Sequence, residues 1–390
     1  MPHPATPPVP VLTVCSVDPV LRDSACTGLL LDLPGALAVR HDLQPLDDGA
    51  SLLRRTVFDA SGTLEHVETR LEHGCLSCAL REDVLPTLLR LAQERPSALV
   101  LALPVTAEPL PVVKALTAST HTDPPWFALS QAQWQAEART GLRVAAVVAA
   151  LDGDALEEDL FGDDDVADRG MALSEFDDRG MGEALSRHLE YADAILVAGR
   201  ATPRQRTILA HLALPELAAE VSPLHEADAT RLLAMTRPLS DPRGDLLRTE
   251  PSGSADAYGV WSVDLCSDRP LHPDRLLERI EDLGCGRTRA CGHFWVPTRP
   301  RNACAWDGAG GQLSIGTIGP WPPGRRPITR LVVTGTDGSE WSRTPQDLRS
   351  IFDTVLLDDA EMARGSRWWA NRPDSLDPWL GDPHELTDCA

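Results

Sequence analysis

Hydrophobic and polar residues follow two patterns in the first half of the chain. Near-continuous apolar runs at Val9–Cys15, Ala98–Leu103 and Val144–Leu151 are separated by stretches with helical spacing, such as Pro19–Leu31. Strands that are covered on both faces have such uninterrupted runs, and their alternation with helices is typical of a parallel sheet. The pattern therefore predicts an α/β domain with helices flanking a mostly parallel sheet.

Shorter patterns predict the remaining elements of this half. Two alternating runs flank Ser61-Gly62, which favours a β-hairpin. The predicted elements are a strand at Ala36–Arg40, hairpin strands at Arg54–Asp59 and Glu65–Arg70, helices at Glu82–Ala92 and Gly182–Glu190, and a strand at Ala194–Ala198.

The second half is organised differently. Residues 236–256 are rich in Pro, Gly, Ser and Asp, which predicts a linker between a domain at 1–235 and a smaller α+β domain at 257–364. A tail rich in Trp, Pro and Asp follows at 365–390. The smaller domain has predicted strands at Val260–Leu265, His293–Thr298, Leu313–Gly316 and Thr329–Thr334, and predicted helices at Pro273–Asp282 and Pro345–Phe352.

Charge and hydropathy restrict the class of function. The formal net charge of -22 opposes direct binding to nucleic acid and favours basic protein partners. The chain has no apolar run of the about 18 residues that a membrane span needs. The N-terminal residues do not resemble a secretory signal. A cytoplasmic protein that does not enter a membrane is therefore predicted.

The most informative segment, Glu68–Asp83, contains Gly74-Cys75-Leu76-Ser77-Cys78 followed by Ala79-Leu80-Arg81-Glu82-Asp83. It resembles the hallmark of the CobW family, Gly-Cys-x-Cys-Cys followed by x-Leu-Arg-x-Asp, except that Ser77 replaces the middle cysteine. The smaller domain resembles the CobW C-terminal domain at Gly292–Pro300, Trp306 and Gly310–Leu313. The resemblance implies a P-loop GTPase-like fold with a smaller α+β domain, and several members of this family are zinc chaperones.

The phosphate-binding turn departs from that family. A P-loop needs glycines, a lysine and a Ser/Thr that binds magnesium. The corresponding turn here, Cys15-Ser16-Val17-Asp18-Pro19-Val20-Leu21-Arg22, has neither glycine nor lysine, and the chain's only lysine is Lys114. Asp18 has the wrong charge to face a phosphate, and Arg22 is not equivalent to the missing lysine because its guanidinium is larger and planar.

Two further nucleotide motifs of the family are missing. The magnesium and switch segment is replaced by Leu103–Pro109, and the guanine-reading Asn-Lys-x-Asp is replaced by Ala198–Ala201. Because three separate motifs have failed, the sequence predicts a pseudo-GTPase with no catalytic residues and no bound GTP or magnesium.

The cysteine pair is the strongest candidate for chemistry. Nine cysteines, an odd number with one close pair, argue against a disulfide framework. Cys75 and Cys78 have the spacing that lets two thiolates reach one zinc ion, and His73 is a candidate third ligand. His66, Glu72 and Cys15 are alternative ligands, and a pair of buried or redox-active thiols is the alternative to a metal site.

The segment, length and composition most resemble a CobW-like branch (Mrf) that recruits a hibernation factor to ribosomes in response to zinc. The resemblance implies a zinc-responsive interaction protein, with the ribosome hibernation-promoting factor and small-subunit ribosomal proteins as partners. The alternatives are a CobW-type zinc metallochaperone GTPase with divergent motifs and a simple zinc buffer or thiol-redox protein.

Overall fold

The computed structural model describes residues 7–46, 48–72, 76–118, 141–213, 219–235, 237, 243–338, 343–369 and 372–381. The chain forms two compact units. The first comprises Met1–Leu156, Asp165–Thr202 and Ala218–Arg243, and the second comprises Glu157–Asp164, Pro203–Leu217 and Gly244–Ala390. The boundary at residues 243 and 244 lies inside the predicted linker, whereas two short segments from the predicted first domain belong to the second unit.

Strands and helices follow one another through the described residues between 9 and 234. In chain order the elements are β1 (Val9–Ser16), α1 (Pro19–Asp32), β2 (Leu37–Pro45), β3 (Ser51–Asp59), β4 (Gly62–Leu71), α2 (Leu76–Ala79), α3 (Leu85–Gln93), β5 (Leu99–Ala102), α4 (Pro109–Ala118), β6 (Leu142–Asp152), α5 (Leu156–Phe161), α6 (Met181–Tyr191), β7 (Ala194–Ala198), α7 (Pro203–Leu212), β8 (Glu220–Pro223) and α8 (Ala229–Ala234).

The first unit is built on an eight-stranded sheet in the order β4-β3-β2-β5-β1-β6-β7-β8. Strands β2, β5, β1, β6, β7 and β8 are parallel, and β3 runs antiparallel between β2 and β4. All four residues of β5 are buried, as expected for a strand covered on both faces. The prediction of a mostly parallel α/β sheet is therefore confirmed.

The helix that follows β4 begins earlier than its sequence pattern indicates. A π-helical turn at Leu80–Val84 joins α2 to α3, so that residues 76–93 form one continuous helix. The pattern predicts a helix over Glu82–Ala92 only. The π-turn adds a residue and interrupts the 3.6-residue period of the apolar positions. The pattern therefore does not predict the first turns of this helix.

The second unit contains a five-stranded antiparallel sheet in the order β12-β11-β10-β13-β9. Its core includes Phe294 and Trp306, whose rings meet edge to face. The elements of this region are β9 (Val260–Ser267), α9 (Pro273–Gly284), β10 (Thr288–Phe294), β11 (Asn302–Ala309), β12 (Gln312–Pro320), β13 (Thr329–Thr336), α10 (Pro345–Val355), α11 (Asp359–Met362), α12 (Ser366–Trp369) and α13 (Asp377–Leu380).

The predicted strand at His293–Thr298 is wrong. The strand β10 ends at Phe294, and β11, which the pattern misses, follows it. Pro297 has no N–H to donate to a ladder. The buried pair of Arg289 and Asp307 also places charged residues inside β10 and β11, so neither strand shows a simple alternation.

Arg299 holds part of the described tail within the second unit. Arg299 is buried and its guanidinium contacts the carboxylates of Asp374 and Asp377. It also donates to the carbonyl oxygens of Leu380 and Gly381, at 3.1 and 2.8 Å. Among the described residues, no helix combines the length and the apolar character needed to cross a bilayer.

Candidate functional site

The turn after β1 lies at the carboxyl end of the parallel strands, where open α/β sheets bind ligands. Cys15 is fully buried, and its thiol donates to the carbonyl oxygen of Val148 at 3.7 Å. Ser16 Oγ donates to the carbonyl oxygen of Ala150 at 2.7 Å and accepts from the backbone N–H of Asp18 at 3.0 Å. Both side chains are thus engaged inside the sheet.

Asp18 occupies the N-terminus of α1 with its own carboxylate. Its Oδ1 accepts from the backbone N–H groups of Val20 and Leu21, at 2.7 and 3.1 Å. Pro19, the first helical residue, has no N–H. The free N–H groups and the positive end of the helix dipole make such a terminus an anion site, and here the anion is a side chain of the protein.

Arg22 is buried and does not extend toward this turn as a phosphate-binding cation. Its Nη1 lies 2.8 Å from Asp42 Oδ1 and donates to the carbonyl oxygen of Leu103 at 3.0 Å. Its Nε donates to Asp23 Oδ1 at 3.0 Å. Arg22 therefore joins α1 to β2 and to the end of β5.

The segment after β5, which stands where the family has its magnesium and switch residues, is held by hydrogen bonds. Thr106 N–H donates to the carbonyl oxygen of Ser16 at 3.2 Å, and Arg179 donates to the carbonyl oxygen of Thr106 at 3.1 Å. His188 Nε2 donates to the carbonyl oxygen of Ala107 at 2.9 Å. Thr106 has φ of 67°, a left-handed conformation that costs energy in a β-branched residue.

The cysteine segment begins where the edge strand β4 ends. Cys78 is half-buried on the first turn of the helix and packs against Leu53, Leu71 and Ala79. His73 and Cys75, the other two predicted zinc ligands, lie outside the described residues. The described residues contain no group of three or more His, Cys, Asp or Glu side chains that would hold a metal.

The alternative ligands from the sequence lie in other surroundings. Burial raises the pKa of the Cys15 thiol well above its ordinary value, and this thiol faces Val148 inside the sheet. His66 Nδ1 lies 3.1 Å from Thr56 Oγ1, and Glu72 is exposed. In the second unit Cys304 is part of the core, while Cys285 and Cys291 are half-buried.

Asp83, the last residue of the cysteine motif, connects the helix to the sheet. It is buried, and its Oδ1 accepts from His41 Nε2 at 2.8 Å while Oδ2 faces Arg55 Nη1. Burial alone raises the pKa of Asp83, but the contacts with His41 and Arg55 outweigh it and hold that pKa below its ordinary value. Asp83 is therefore an ionised carboxylate in the protein interior.

Sequence reasoning misses this arrangement. Asp83 belongs to the segment that carries the family resemblance, but His41 and Arg55 lie on β2 and β3 and have no motif of their own. His41 and Arg55 come together only through the pairing of β2 with β3, where they lie opposite each other.

Comparison with protein families identifies one region directly. Residues 260–356 match the model of the cobalamin synthesis protein cobW C-terminal domain. This region corresponds to strands β9 to β13 and helices α9 and α10 of the second unit.

Curated relatives align with nearly the whole chain. Zinc chaperone Rv0106 of Mycobacterium tuberculosis is 29% identical over 423 residues, which cover 98% of this chain and 96% of that protein. Zinc-regulated GTPase metalloprotein activator 1 of Dictyostelium discoideum is 24% identical over 388 residues, covering 89% of this chain and 78% of that protein.

A solved structure, the zinc-bound YjiA GTPase from E. coli, covers 90% of this chain and 99% of its own, with 15% identity and a TM-score of 0.36. Residues 260–356 thus match the CobW C-terminal domain, and over most of its length the chain is similar to relatives named for zinc.

Proposed function

We propose that the chain is a zinc-handling protein of the metallochaperone type, which binds zinc through Cys75 and Cys78 and delivers it to a protein partner. The observation that carries the proposal is the similarity to zinc chaperone Rv0106 over 98% of the chain. The metal is cargo in this proposal.

The position of Cys78 suits a transfer site. Its half-buried thiol lies at the edge of the sheet, beside the end of β4, and thiolates are ligands that zinc prefers. Cys75, Cys78 and His73 together supply three ligands. A zinc ion with three protein ligands keeps a position open for another ligand, and a ligand from the receiving protein enters there during transfer.

We propose further that this activity does not use GTP hydrolysis. Three features support it: Asp18 fills the N-terminus of α1, Arg22 is engaged with Asp42 and Leu103, and hydrogen bonds hold the segment at Thr106. The alternative is a zinc-regulated GTPase, which is how the Dictyostelium relative is named. GTP titration tests this alternative directly.

Zinc analysis tests the metal site. We expect wild-type protein to retain zinc after dialysis, and Cys75→Ala and Cys78→Ala each to lose most of it, when metal content is measured by mass spectrometry. Cys266→Ala is the matched control, because Cys266 is an exposed cysteine on β9 of the second unit. Equal zinc in wild type and both variants would overturn the assignment.

Recruitment of a hibernation factor to ribosomes stays a prediction from resemblance. The net charge of -22 favours a basic partner and is compatible with it. Co-sedimentation of the protein with ribosomes, in zinc-depleted and zinc-replete extracts, tests it. A chain that never sediments with ribosomes or with the factor would contradict this prediction.

A further inference from the structure

Two arginines contact the ring of an exposed tryptophan in the second unit. Trp368 belongs to the short helix α12, and 36% of its surface is exposed. The guanidinium carbon of Arg364 lies 4.5 Å from the centre of this ring, and that of Arg372 lies 4.6 Å from it. We refer to these three residues as the Trp368 patch.

The patch is fixed in place by the next residue, Trp369, which is buried. Its Nε1 donates to the carbonyl oxygen of Glu361 at 3.1 Å. Its ring meets those of Trp368 and His272 edge to face, and its carbonyl oxygen accepts from the backbone N–H of Arg372 at 3.0 Å. An aromatic side chain that is held before binding loses little conformational freedom when a partner binds, which lowers the free-energy cost of association.

Neither arginine of the patch pairs with a carboxylate within the part of the chain that the structure describes. The acidic side chains near them in sequence are engaged by other arginines, in the ion pairs Asp359–Arg269, Glu361–Arg275, Asp374–Arg299 and Asp377–Arg299. Arg364 and Arg372 thus bring two positive charges to one ring, where they repel each other. An anion that contacts both guanidinium groups relieves this repulsion.

The chemistry of the patch suits an oxyanion. A guanidinium group presents paired N–H donors whose geometry matches a carboxylate or a phosphate. The contacts with the ring of Trp368 use the charge of Arg364 and Arg372, and both side chains are exposed, so their N–H donors are accessible to a ligand. Trp and Arg are also among the residues that contribute most to the affinity of protein interfaces.

The charge of the whole chain distinguishes between two classes of anionic partner. A polynucleotide extends beyond the patch, where the net charge of -22 repels its phosphates. A short acidic peptide segment places its carboxylates on the two arginines alone, and salt screens charges that lie more than about 10 Å away. Such a segment can belong to a protein that is basic overall.

We propose that the Trp368 patch binds an acidic segment of a partner protein, whose carboxylates pair with Arg364 and Arg372 beside the ring of Trp368. The inference does not rest on the proposed zinc binding, because the patch belongs to the second unit and contains no proposed zinc ligand. The competing explanation is that the two arginines only hold the tail in place. It predicts a change in stability when they are replaced and no change in peptide binding.

A fluorescein-labelled hexaglutamate peptide is the probe, and its binding to the full chain is measured by fluorescence anisotropy at low salt. We expect saturable binding to wild type and a Kd that is higher by at least about tenfold for the double variant Arg364→Gln/Arg372→Gln. The matched control is Arg326→Gln/Arg349→Gln, which removes two positive charges from other exposed positions of the same unit. We expect its Kd to stay within about twofold of the wild-type value.

The indole N–H of Trp368 gives a second readout that needs no change to either arginine. In a nitrogen–proton correlation spectrum, its signal is the one that is missing from Trp368→Phe. We expect this signal to shift when wild type is titrated with hexaglutamate and to stay in place with hexaglutamine. This readout applies even if the double arginine variant does not fold.

Each outcome decides for or against the inference. No saturable binding of hexaglutamate to wild type, equal affinity in the folded Arg364→Gln/Arg372→Gln protein, or an unmoved Trp368 signal would overturn it. A lower melting temperature with unchanged peptide affinity would leave the arginines as structural contacts only. Tighter binding of an oligodeoxythymidylate of equal charge, lost in the same double variant, would assign the patch to nucleic acid instead.

Discussion

Asp18 precedes the first turn of α1 and Asp83 lies within a helix, and the partners of the two carboxylates give them different roles. Asp18 is partly exposed and accepts from two backbone N–H groups at the start of α1. Asp83 is buried and faces two side chains that reach it from other strands. The first therefore acts within one helix, whereas the second joins a helix to a sheet.

The role of Asp18 leads to a stability prediction. Asp18→Ala leaves two N–H groups of α1 without their acceptor, and we expect the free energy of unfolding to fall by about 1 kcal/mol. Asp32→Ala is the matched control, because Asp32 is exposed at the other end of the same helix, where its charge opposes the dipole. Urea titration followed by circular dichroism measures both, and equal losses would contradict the capping role.

At the scale of elements, the segment after β5 is fixed by partners from distant parts of the first unit. Its backbone contacts Ser16 of β1, Arg179 before α6 and His188 within α6. A segment that rearranges on nucleotide hydrolysis needs contacts that exchange between two states. Here the carbonyl oxygens of Thr106 and Ala107 accept hydrogen bonds from Arg179 and His188.

His188 gives this segment a pH dependence. Burial lowers the pKa of His188 from 6.5 to about 4, and the nearby Arg179 contributes in the same direction. As pH falls from 6.5 to about 4, the unfolded chain takes up a proton at this residue and the native protein does not. The stability that neutral His188 contributes is thus present above pH 6.5 and is lost progressively as the pH falls from 6.5 to about 4.

His188→Gln should remove this part of the acid sensitivity, because Gln keeps an N–H for Ala107 and does not titrate. His225→Gln is the control, since His225 is exposed. Unfolding free energies between about pH 7 and pH 4 are expected to fall less steeply for His188→Gln than for wild type and the control. Identical slopes in all three proteins would contradict the role of His188.

The sequence predicts those elements whose burial makes their residue pattern simple. Strands β1, β5 and β6 are apolar on both faces, so their runs are visible without a partner. Strands β10 and β11 contain the buried pair Arg289 and Asp307, which is favourable only when the two strands are adjacent. Such a pair cannot be recognised before the strand pairing is known.

The candidate site likewise has features that the sequence shows and features that only the structure shows. Cys75 and Cys78 are visible because their spacing is local, whereas the partners of Asp83 come from β2 and β3. Likewise, the missing glycines and lysine are visible in the turn after β1, but the acceptor role of Asp18 toward Val20 and Leu21 requires the helix geometry. Contacts between residues that are far apart in the chain are therefore the features that the sequence pattern does not predict.

At the scale of the whole molecule, charge determines how partners approach. The chain has 58 acidic and 36 basic residues, so a basic partner is attracted before contact. Added salt screens this attraction and slows association, while the short-range contacts of the complex are less affected. If the protein delivers zinc to a basic partner, its association rate with that partner is therefore expected to fall as ionic strength rises.

Nucleotide binding is a property to be tested on the full chain. We expect titration calorimetry of the full chain with GTP and magnesium to show no binding heat, because the N–H groups that would hold a phosphate are occupied by Asp18. Zinc titrated into the same preparation is the positive control. A saturable heat with GTP would contradict this prediction and favour the zinc-regulated GTPase alternative.

The carboxylate at the start of α1 also has a thermodynamic consequence. A protein that hydrolyses GTP can run a one-way cycle, in which each turnover dissipates free energy and resets the molecule. In a zinc transfer that uses no GTP hydrolysis, as proposed above, every step is reversible, and its direction follows concentrations and affinities alone. The factor by which zinc strengthens partner binding must then equal the factor by which the partner strengthens zinc binding. The zinc occupancy of such a protein follows the free zinc concentration at equilibrium, and no irreversible step resets it.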